Sequence, residues 1–470
     1  MAAPPHTLAS TPIDAAVIGG GIAGLALARD LVRAGHRVML LEARPRAGGV
    51  ILSERAGRLL IEAGPDSVLA QKPAALELCR ELGLADQIVT TSPPRTAFVL
   101  RGGTFHALPS DTLLGVPLTD AALDGLTMLS PEGRSRVARD LTAPAPPAHP
   151  GRDESVGAFL RRRFGDEMVA AIGQPLLGGI HAGDIDRLSL QALFPRLAKA
   201  DAKGGSLLRT LRADREPRDP DGAFRGLMGG MGTLVEALAA SLPEGTLQTG
   251  VTVRRIEAGP PYTVTTSKDG TIRARAVLLC TPAFETAVLI ERIDAGLAEL
   301  CAAIPYVSTA TVSLAYPWAA VRHPLDGIGF VVPRGERTTR LLAGSWASSK
   351  WPGRADPDTA LMRVFAGGLF DEDLLELDDA GLIEAAHRDL SQLLDIAARP
   401  QLARVYRWPR ASVQYEVGHL DRVAAIDARE AARPGLFLTG SAFRGNGIPD
   451  TIADARRTAQ RAHDWLSRTG

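Results

Sequence analysis

Apolar runs and helical periodicity alternate at the start of the chain. Residues 15–18 form an apolar run typical of a buried strand, and residues 25–32 then place apolar side chains on one helical face. Gly35 ends that pattern, and a second apolar run at 38–41 leads directly to Glu42. The order strand, helix, strand predicts the first unit of a parallel α/β sheet.

Further along the chain the apolar spacing changes twice. Between about 110 and 210 the spacing is mainly helical, with helices predicted at 153–165, 166–174 and 186–200. Alternating apolar positions then predict strands of an antiparallel sheet at 307–316, 328–332, 340–346 and 361–366. Other predicted elements are strands at 59–61, 247–257, 262–266, 272–279 and 402–408, a hairpin at 98–108, and helices at 73–82, 378–394 and 449–467. The proline-rich stretch 142–152 is predicted to be an extended, exposed connection.

The order of these elements predicts a discontinuous domain. Strands at 277–280 and 436–440 can rejoin the amino-terminal strands, so the expected fold class is α/β combined with α+β: a Rossmann-type domain, an antiparallel-sheet domain and a helical insertion. The expected boundaries are 1–70, 225–290 and 430–470 for the first domain, 71–110 and 300–429 for the second, and 111–224 for the insertion.

The turn after the first strand carries the clearest motif. Gly19-Gly20-Gly21-Ile22-Ala23-Gly24 matches G-x-G-x-x-G, in which the glycines permit a tight turn, close approach of a pyrophosphate and close helix packing. Glu42 lies 18 positions after Gly24 (42 − 24), where an acidic side chain can accept hydrogen bonds from a ribose and repel a 2′-phosphate. A glycine-rich loop in an ordinary α/β core is the alternative. Strand, glycines, helix, strand and acid in this order favour dinucleotide binding, either FAD or NAD.

Bulk composition excludes several classes of function. The chain has 470 residues, 45% of them hydrophobic, and its 53 basic and 53 acidic residues cancel, so no net positive field favours nucleic acid. Three scattered cysteines predict neither disulfides nor a metal site, which fits a reducing, cytoplasmic compartment. The first twelve residues lack a signal-peptide pattern and are expected to form a frayed tail, and no apolar run is long enough to span a membrane.

Four further segments resemble one family in the same order along the chain. They are Glu62-x-Gly64-Pro65-x-Ser67; Leu177-Gly178-Gly179-Ile180-His181-Ala182-Gly183-Asp184 with Leu188-Ser189 and Phe194-Pro195; Arg407-Trp408-Pro409 with Gln414-Tyr415 and Gly418-His419-Leu420; and Gly440 to Asp450. With Gly19–Glu42 and the Arg46-x-Gly48-Gly49 loop, they resemble the FAD-dependent amine-oxidase-like superfamily. Within it the chain is similar to the oxygen-dependent protoporphyrinogen and coproporphyrinogen III oxidases of haem biosynthesis.

The resemblance implies a Rossmann-type FAD-binding domain, with FAD as cofactor. Trp408 would flank the isoalloxazine, and the start of the last helix would abut its pyrimidine end, where the positive end of a helix suits the negative charge of reduced flavin. The implied cofactor residues are Gly19, Gly20, Gly21, Ile22, Ala23, Gly24, Glu42, Ala43, Arg46, Gly49, Gly64, Pro65, Asp66, Ser67, Val253, Trp408, Gly440, Gly447, Ile448 and Pro449.

The substrate residues depart from the family pattern. Ala97 stands where protoporphyrinogen oxidases carry an arginine for a substrate propionate, which leaves Arg95 and Arg101 as nearby candidates. Gly179 could present its carbonyl oxygen to the reacting carbon, and His181 replaces the usual tyrosine or phenylalanine. His181 is expected either to line the pocket or to pack at a helix end. Another arginine run, 161–163, could meet propionates, although a solvated helix face is favoured.

The implied reaction removes three hydride equivalents from a porphyrinogen, with O2 as acceptor and H2O2 released. The segments LLGVPLTD, LSPEG and PLLGGI resemble the bacterial group that acts on coproporphyrinogen III, so this resemblance implies coproporphyrinogen III rather than protoporphyrinogen IX as substrate. Such chemistry needs orientation and exclusion of water rather than acid and base groups, so no catalytic side chain is named. The resemblance allows a ferrochelatase partner and a peripheral membrane contact. A flavin amine oxidase, a carotenoid desaturase and a non-catalytic FAD- or NAD-binding protein are the alternatives.

Overall fold

A computed structural model of the chain describes residues 12–147, 152–215, 219–268, 270–336 and 338–469. The predicted amino-terminal tail and part of the predicted 142–152 connection lie outside these residues. The strands are β1 Ile13–Ile18, β2 Val38–Glu42, β3 Ser53–Ala56, β4 Leu59–Glu62, β5 Val68–Leu69, β6 Ile88–Thr90, β7 Ala97–Arg101, β8 Thr104–Ala107, β9 Thr112–Leu113, β10 Val116–Pro117, β11 Phe224–Leu227, β12 Leu247–Thr249, β13 Val253–Glu257, β14 Tyr262–Thr266, β15 Thr271–Leu279, β16 Tyr306–Pro317, β17 Gly329–Val331, β18 Ala343–Ser345, β19 Thr359–Gly367, β20 Leu402–Val413 and β21 Leu436–Leu438.

Helices surround these strands and fill the segment between β10 and β11. The α-helices are α1 Ile22–Arg33, α2 Ala74–Glu81, α3 Asp120–Asp124, α4 Pro131–Ala138, α5 Val156–Phe164, α6 Asp166–Met168, α7 Gly179–His181, α8 Leu190–Leu193, α9 Pro195–Ala202, α10 Leu207–Ala213, α11 Gly232–Ala240, α12 Ala283–Ile290, α13 Ala295–Ala302, α14 Ala347–Lys350, α15 Asp379–Leu394, α16 His419–Ala431 and α17 Ile448–Thr469. A π-helix, Val169–Gly178, joins α6 to α7.

The first large sheet collects strands from three distant parts of the chain. Its order is β12-β2-β1-β15-β14-β13, and β21 pairs with the end of β15. β1 lies parallel to both β2 and β15, with Val17 opposite Leu40 on one side and Leu278 on the other. The 277–280 and 436–440 segments therefore return to the amino-terminal strands, as the sequence predicted.

The second large sheet has the order β20-β16-β19-β18-β17-β7-β8. The four strands predicted to form an antiparallel sheet, β16 to β19, do pair antiparallel with one another. In contrast, β7 lies parallel to β17. The β7–β8 hairpin comes more than 200 residues before β17, and so its direction is not dictated by a short turn. One face of this sheet packs on α15 in an apolar core.

Several predicted elements differ from those observed. The helix predicted at 186–200 is two helices, α8 and α9, separated at Phe194. The 247–257 segment is two strands, because Gly250 has a φ of 64° and its N–H bonds Arg44 O instead of continuing the ladder. The predicted helix at 166–174 is mainly the π-helix, which contains Pro175. Proline has no N–H for an α-helical bond, and a wider turn accommodates it.

The helical insertion has its own core, with an ion cluster inside it. The Arg163 side chain is fully buried, with Nη1 3.2 Å from Asp140 and Nε 2.6 Å from Asp201. The expectation of a solvated face for 161–163 is therefore wrong for Arg163 and holds better for the partly exposed Arg161.

No described helix is both long and apolar enough to cross a bilayer. The described residues contain no cluster of His, Cys, Asp and Glu suited to a metal ion, and Cys79, Cys280 and Cys301 are unpaired thiols.

We expect Arg163→Ala to destabilise the fold by about 3–5 kcal/mol, because it removes the cation paired with the buried Asp140 and one of the two arginines paired with the buried Asp201, which keeps Arg162. Arg161→Ala is the matched control and should cost about 1 kcal/mol or less, since its partners Asp166 and Asp186 are exposed. Urea denaturation followed by circular dichroism measures both. Equal losses of free energy in the two variants would contradict this account of the insertion.

Candidate flavin site

The turn between β1 and α1 has the shape that the motif predicts. Gly19 has a φ of 105°, and a Cβ there would lie 2.9 Å from Cys280 O. A Cβ on Gly24 would lie 1.9 Å from Gly19 O, so this glycine permits the close contact between helix and turn. A Cβ on Gly21, in contrast, would meet nothing within 4 Å. Space beside Gly21 is thus open at the start of α1, whose first turn has no side-chain cap.

Glu42 lies at the end of β2 and holds the turn in place. Its Oε2 accepts a hydrogen bond from Gly20 N at 2.7 Å, and its Oε1 accepts one from Arg44 N at 2.8 Å. The backbone before Val253 is nearby, since Val251 N donates to Glu42 O at 2.9 Å. The structure therefore brings Glu42 and the start of β13 together.

The loop that carries Arg46 packs on the same turn. Gly48 N donates to Gly20 O at 2.7 Å, and a Cβ on Gly49 would lie 3.4 Å from Gly21 Cα. Arg46 bonds carbonyl oxygens of its own loop, including Gly49 O at 2.8 Å, while Ala43 is exposed. The loop is therefore in place beside the glycine turn with its arginine directed to the backbone.

Side chains from the second sheet fix the loop at 62–67. Thr311 Oγ1 and Trp408 Nε1 both donate to Ala63 O, at 2.8 and 2.9 Å. Arg363 Nη1 donates to the carbonyl oxygens on either side, Glu62 O at 3.0 Å and Gly64 O at 2.6 Å. These three side chains, Thr311, Arg363 and Trp408, form what we call the loop clamp, and they come from three neighbouring strands, β16, β19 and β20.

The Asp66 side chain does not point to an open space. Its Oδ2 lies 2.9 Å from Lys350 Nζ and 3.1 Å from an Arg363 nitrogen, and Ser67 Oγ donates to its Oδ1 at 2.7 Å. Burial by itself would raise the pKa of Asp66, but the two cations hold that pKa well below its usual range. A role of Asp66 at a cofactor would therefore belong to its backbone.

The terminal loop from Gly440 to Asp450 is held by the Gln-Tyr and Gly-His segments. The Tyr415 hydroxyl donates to Ser441 O at 2.8 Å and accepts from Gly445 N at 2.9 Å. The ring of Tyr415 stacks on His419 at 3.8 Å, and His419 Nε2 bonds Phe443 O. These bonds therefore fix the position of the loop where Gly447, Ile448 and Pro449 begin α17.

Three of the four segments meet at His181. Its ring nitrogen Nδ1 is 3.1 Å from Asn446 Nδ2, and its carbonyl oxygen accepts from Gln414 Nε2 at 2.8 Å. The ring packs edge-to-face on Phe194. Burial, with Lys72 as a lesser cause, lowers the pKa of His181 to about 4, so the imidazole is neutral at pH 7. Of the two expectations from the sequence, the structure shows His181 packed at the end of α7, and His181 is not among the residues that line the cavity at Gly179.

Gly179 lies on the wall of a cavity of about 310 Å3. A Cβ on Gly179 would meet nothing within 4 Å, and the lining also includes Arg334, whose guanidinium stacks on Phe370 at 3.5 Å. Arg95 is elsewhere, bonded to Thr91 O at 3.0 Å and to Pro220 O at 3.2 Å. Arg101 bonds Met128 O and Glu167. Neither Arg95 nor Arg101 lines this cavity.

Sequence reasoning missed several residues of the site. Thr311 and Arg363 carry no motif, and only their inward positions on alternating strands could have marked them. Asn446 stands within the Gly440–Asp450 segment but received no role. Lys350 was missed because a buried lysine is predicted only from its partner, which lies 284 residues earlier in the chain.

Replacement of Gly21 by valine should abolish FAD retention without unfolding the protein. The side chain would occupy the open space beside Gly21, which the cofactor's pyrophosphate needs, and it would meet no protein atom within 4 Å of its Cβ. The measurements are the ratio of flavin to protein after gel filtration and the melting temperature of the apoprotein. Full flavin content in this variant would contradict the placement.

Replacement of His181 by phenylalanine should weaken the pH dependence of stability. In the unfolded chain a histidine titrates near pH 6.5, whereas the folded pKa of His181 is about 4. Between these values the unfolded state binds one proton more, so this contribution to stability is present above pH 6.5 and is lost as the pH falls toward 4. Between pH 4 and 6.5 we expect the free energy of unfolding of the variant to rise less steeply with pH, by about 1.4 kcal/mol per pH unit. Urea denaturation measures this slope. An unchanged slope would contradict a neutral, buried His181.

Comparison with known proteins gives the family. A family model described as flavin containing amine oxidoreductase matches residues 22–463. The chain is 32% identical to a Bacillus subtilis protein named coproporphyrinogen III oxidase, over 96% of this chain and 98% of that protein. It is 29% identical to the chloroplastic protoporphyrinogen oxidase 1 of Arabidopsis thaliana, over 97% of this chain and 89% of that protein.

A solved structure agrees with these similarities. A crystal structure from Exiguobacterium sp. 255-15, provisionally assigned as a protoporphyrinogen oxidase, superposes with a TM-score of 0.86 at 30% identity, covering 97% of this chain and 99% of that one. The open space at Gly21 and the uncapped start of α1 suit the pyrophosphate of the expected cofactor. The chain belongs to the flavin-containing amine oxidoreductase family and is an FAD-dependent oxidoreductase.

Proposed function

We propose that this protein oxidises a porphyrinogen of haem biosynthesis to the porphyrin, with coproporphyrinogen III favoured over protoporphyrinogen IX and with O2 as the electron acceptor. The observation that carries the proposal is similarity over nearly the whole chain to proteins named for these two activities. The hydrogen bonds of His181 with Gln414 and Asn446 support this proposal, because they join three of the segments that resemble those enzymes.

The cofactor contacts are assigned to backbone more than to side chains. We place the pyrophosphate at Gly19–Gly24, the adenosine ribose at Glu42 with Val253 nearby, and the flavin between the 62–67 loop, Trp408 and the start of α17. Bound FAD would accept hydride and pass electrons to O2. The first sheet and the 430–470 segment would form the cofactor domain, and the second sheet with the helical insertion would enclose the substrate.

The residues of this chain orient the substrate and keep water out. Gly179 and the neutral His181 belong to α7, directly after the insertion's π-helix, and His181 contacts the terminal loop that we place against the flavin. The exposed, apolar Ile180 beside them offers a surface for such a ring. Because aromatisation drives the reaction, no acid or base side chain is assigned, and orientation is the protein's contribution.

Substrate carboxylates need a cation that is not already paired. Arg95 and Arg101 have backbone or carboxylate partners, whereas Arg334 has no ion pair within the part of the chain that the structure describes. Arg334 lines the same cavity as Gly179, and its guanidinium stacks on the ring of Phe370. We therefore favour Arg334 over Arg95 as a propionate contact.

An amine oxidase is the competing function. Members of that group need an aromatic pair at the flavin face, and Phe443 is the candidate partner for Trp408. Phe443 is instead 1% exposed in the core of the first sheet, with its carbonyl bonded to His419. The arrangement therefore favours a porphyrinogen over an amine.

Porphyrin fluorescence after aerobic addition of each porphyrinogen tests the proposal. We expect both substrates to be oxidised, coproporphyrinogen III faster, and a panel of primary amines to give no H2O2 above background. Gly21→Val is the control that removes the cofactor. If the flavin-loaded wild-type protein forms no porphyrin from either substrate, the proposed function is wrong; if protoporphyrinogen IX is faster, the substrate preference is wrong.

A further inference from the structure

Five buried charged side chains lie behind the loop at 62–67. Asp66 contacts Lys350 and Arg363, with nitrogen–oxygen distances of 2.9 and 3.1 Å. Glu62 Oε1 lies 3.4 Å from Arg354 Nη2. All five residues are at most 9% exposed. This flavin-loop cluster (Glu62, Asp66, Lys350, Arg354, Arg363) is therefore a set of charges inside the protein, where water screens them little.

The flavin-loop cluster has more positive than negative charge. It contains three cations and two carboxylates, an excess of one positive charge (3 − 2). Burial raises the pKa of Glu62, and protonation of Glu62 would make the excess larger, not smaller. Two nitrogens of the Arg354 guanidinium, Nε and Nη1, are buried without a hydrogen-bond partner in the described structure. The positive charge is thus incompletely neutralised by its neighbours.

Arg363 connects this charge to the loop. Its guanidinium bonds the carbonyl oxygens of Glu62 and Gly64 and also faces Asp66. It therefore fixes the backbone on one side and belongs to the charged cluster on the other. Thr311 and Trp408 fix only the intervening carbonyl of Ala63 and add no charge.

We propose that the flavin-loop cluster stabilises reduced, anionic FAD over oxidised FAD, and that Arg363 is the positioning residue that sets the loop against the isoalloxazine. The inference rests on the proposed placement of the 62–67 loop beside the flavin. An uncompensated positive charge in a medium of low dielectric favours the ligand state with the extra negative charge. The reduction potential of the bound FAD is therefore higher than it would be if the cluster had no net charge.

The direction in which the reduction potential shifts distinguishes an effect of the cluster's charge from an effect of its structure. Lys350→Met removes a positive charge, and Asp66→Asn removes a negative charge from the same ion pair. If the cluster were only structural, both variants would disturb the loop, and the potential would shift in the same direction in both. If its charge acts on the flavin, the two variants shift the potential in opposite directions.

The experiment is dye-coupled reduction of the flavin in the holoprotein under anaerobic conditions. We expect Lys350→Met to weaken the preference for reduced over oxidised FAD about tenfold, which for a two-electron couple lowers the potential by about 30 mV. Asp66→Asn should raise the potential by a similar amount. The double variant, which keeps the excess of one positive charge, should return close to the wild-type potential.

Arg363→Lys tests positioning separately, because lysine keeps the charge but cannot bond both carbonyls in the same fork. We expect it to bind FAD more weakly with a potential near that of the wild type. Arg404 on β20 forms a partly exposed ion pair with Glu54 of β3, so Arg404→Gln is the matched control and should change neither quantity.

The outcomes are decisive for the inference. Shifts of the same sign in Lys350→Met and Asp66→Asn, or no shift in either, overturn it. If one of these variants does not yield holoprotein, Arg354→Met and Glu62→Gln, at the second ion pair of the cluster, provide the same pair of signs without removing a member of the loop clamp. A wild-type protein that binds FAD but oxidises no porphyrinogen would contradict the proposed function and leave the potentials as an independent test.

Discussion

The hydrogen bonds to the carbonyl groups of residues 62–64 connect the amino-terminal part of the protein to the second sheet. These carbonyl groups belong to the loop that leaves the amino-terminal part of the chain, and they are bonded by Thr311, Arg363 and Trp408 of the second sheet. A neutral hydrogen bond contributes about 1 kcal/mol and one to a charged donor about 1.5–3 kcal/mol. The loop clamp therefore fixes the loop more firmly than packing of a glycine-proline segment could.

The helical insertion is connected to the cofactor site through a different contact. His181 ends α7 and bonds Asn446 of the terminal loop, and the Tyr415 hydroxyl bonds Gly445 of the same loop. A neutral imidazole suits this position because it accepts the amide hydrogen without bringing a charge into an apolar site. The loop clamp and the His181–Asn446 pair are thus two separate contacts between the segments that we assign to the cofactor and those that we assign to the substrate.

Local chemistry made part of this structure predictable. The glycine turn, α1 and β2 follow from residues within about 30 positions of one another, and the observed bounds agree closely with the pattern. The segments that resemble known flavin enzymes also marked the terminal loop and His181 before their contacts were visible.

Other features depend on partners far away in the sequence. Ala63 and Trp408 are 345 residues apart, and the sequence near either residue does not predict the hydrogen bond between them. Arg163 had the pattern of a surface residue, because its two buried carboxylates come from other helices of the insertion. Arg95 was close in sequence to the expected propionate position, but its side chain turns to the backbone at Thr91 and Pro220. The local sequence pattern does not predict the parallel pairing of β7 with β17 either.

The central claim is that one FAD site is assembled from segments hundreds of residues apart and held together by the loop clamp. Hydrogen–deuterium exchange of the apoprotein and the FAD-loaded protein tests it most directly. The account predicts that FAD protects amides at 19–24, 62–67 and 440–449 together. Protection confined to 19–24 would contradict it, because the cofactor would then be held by the glycine turn alone.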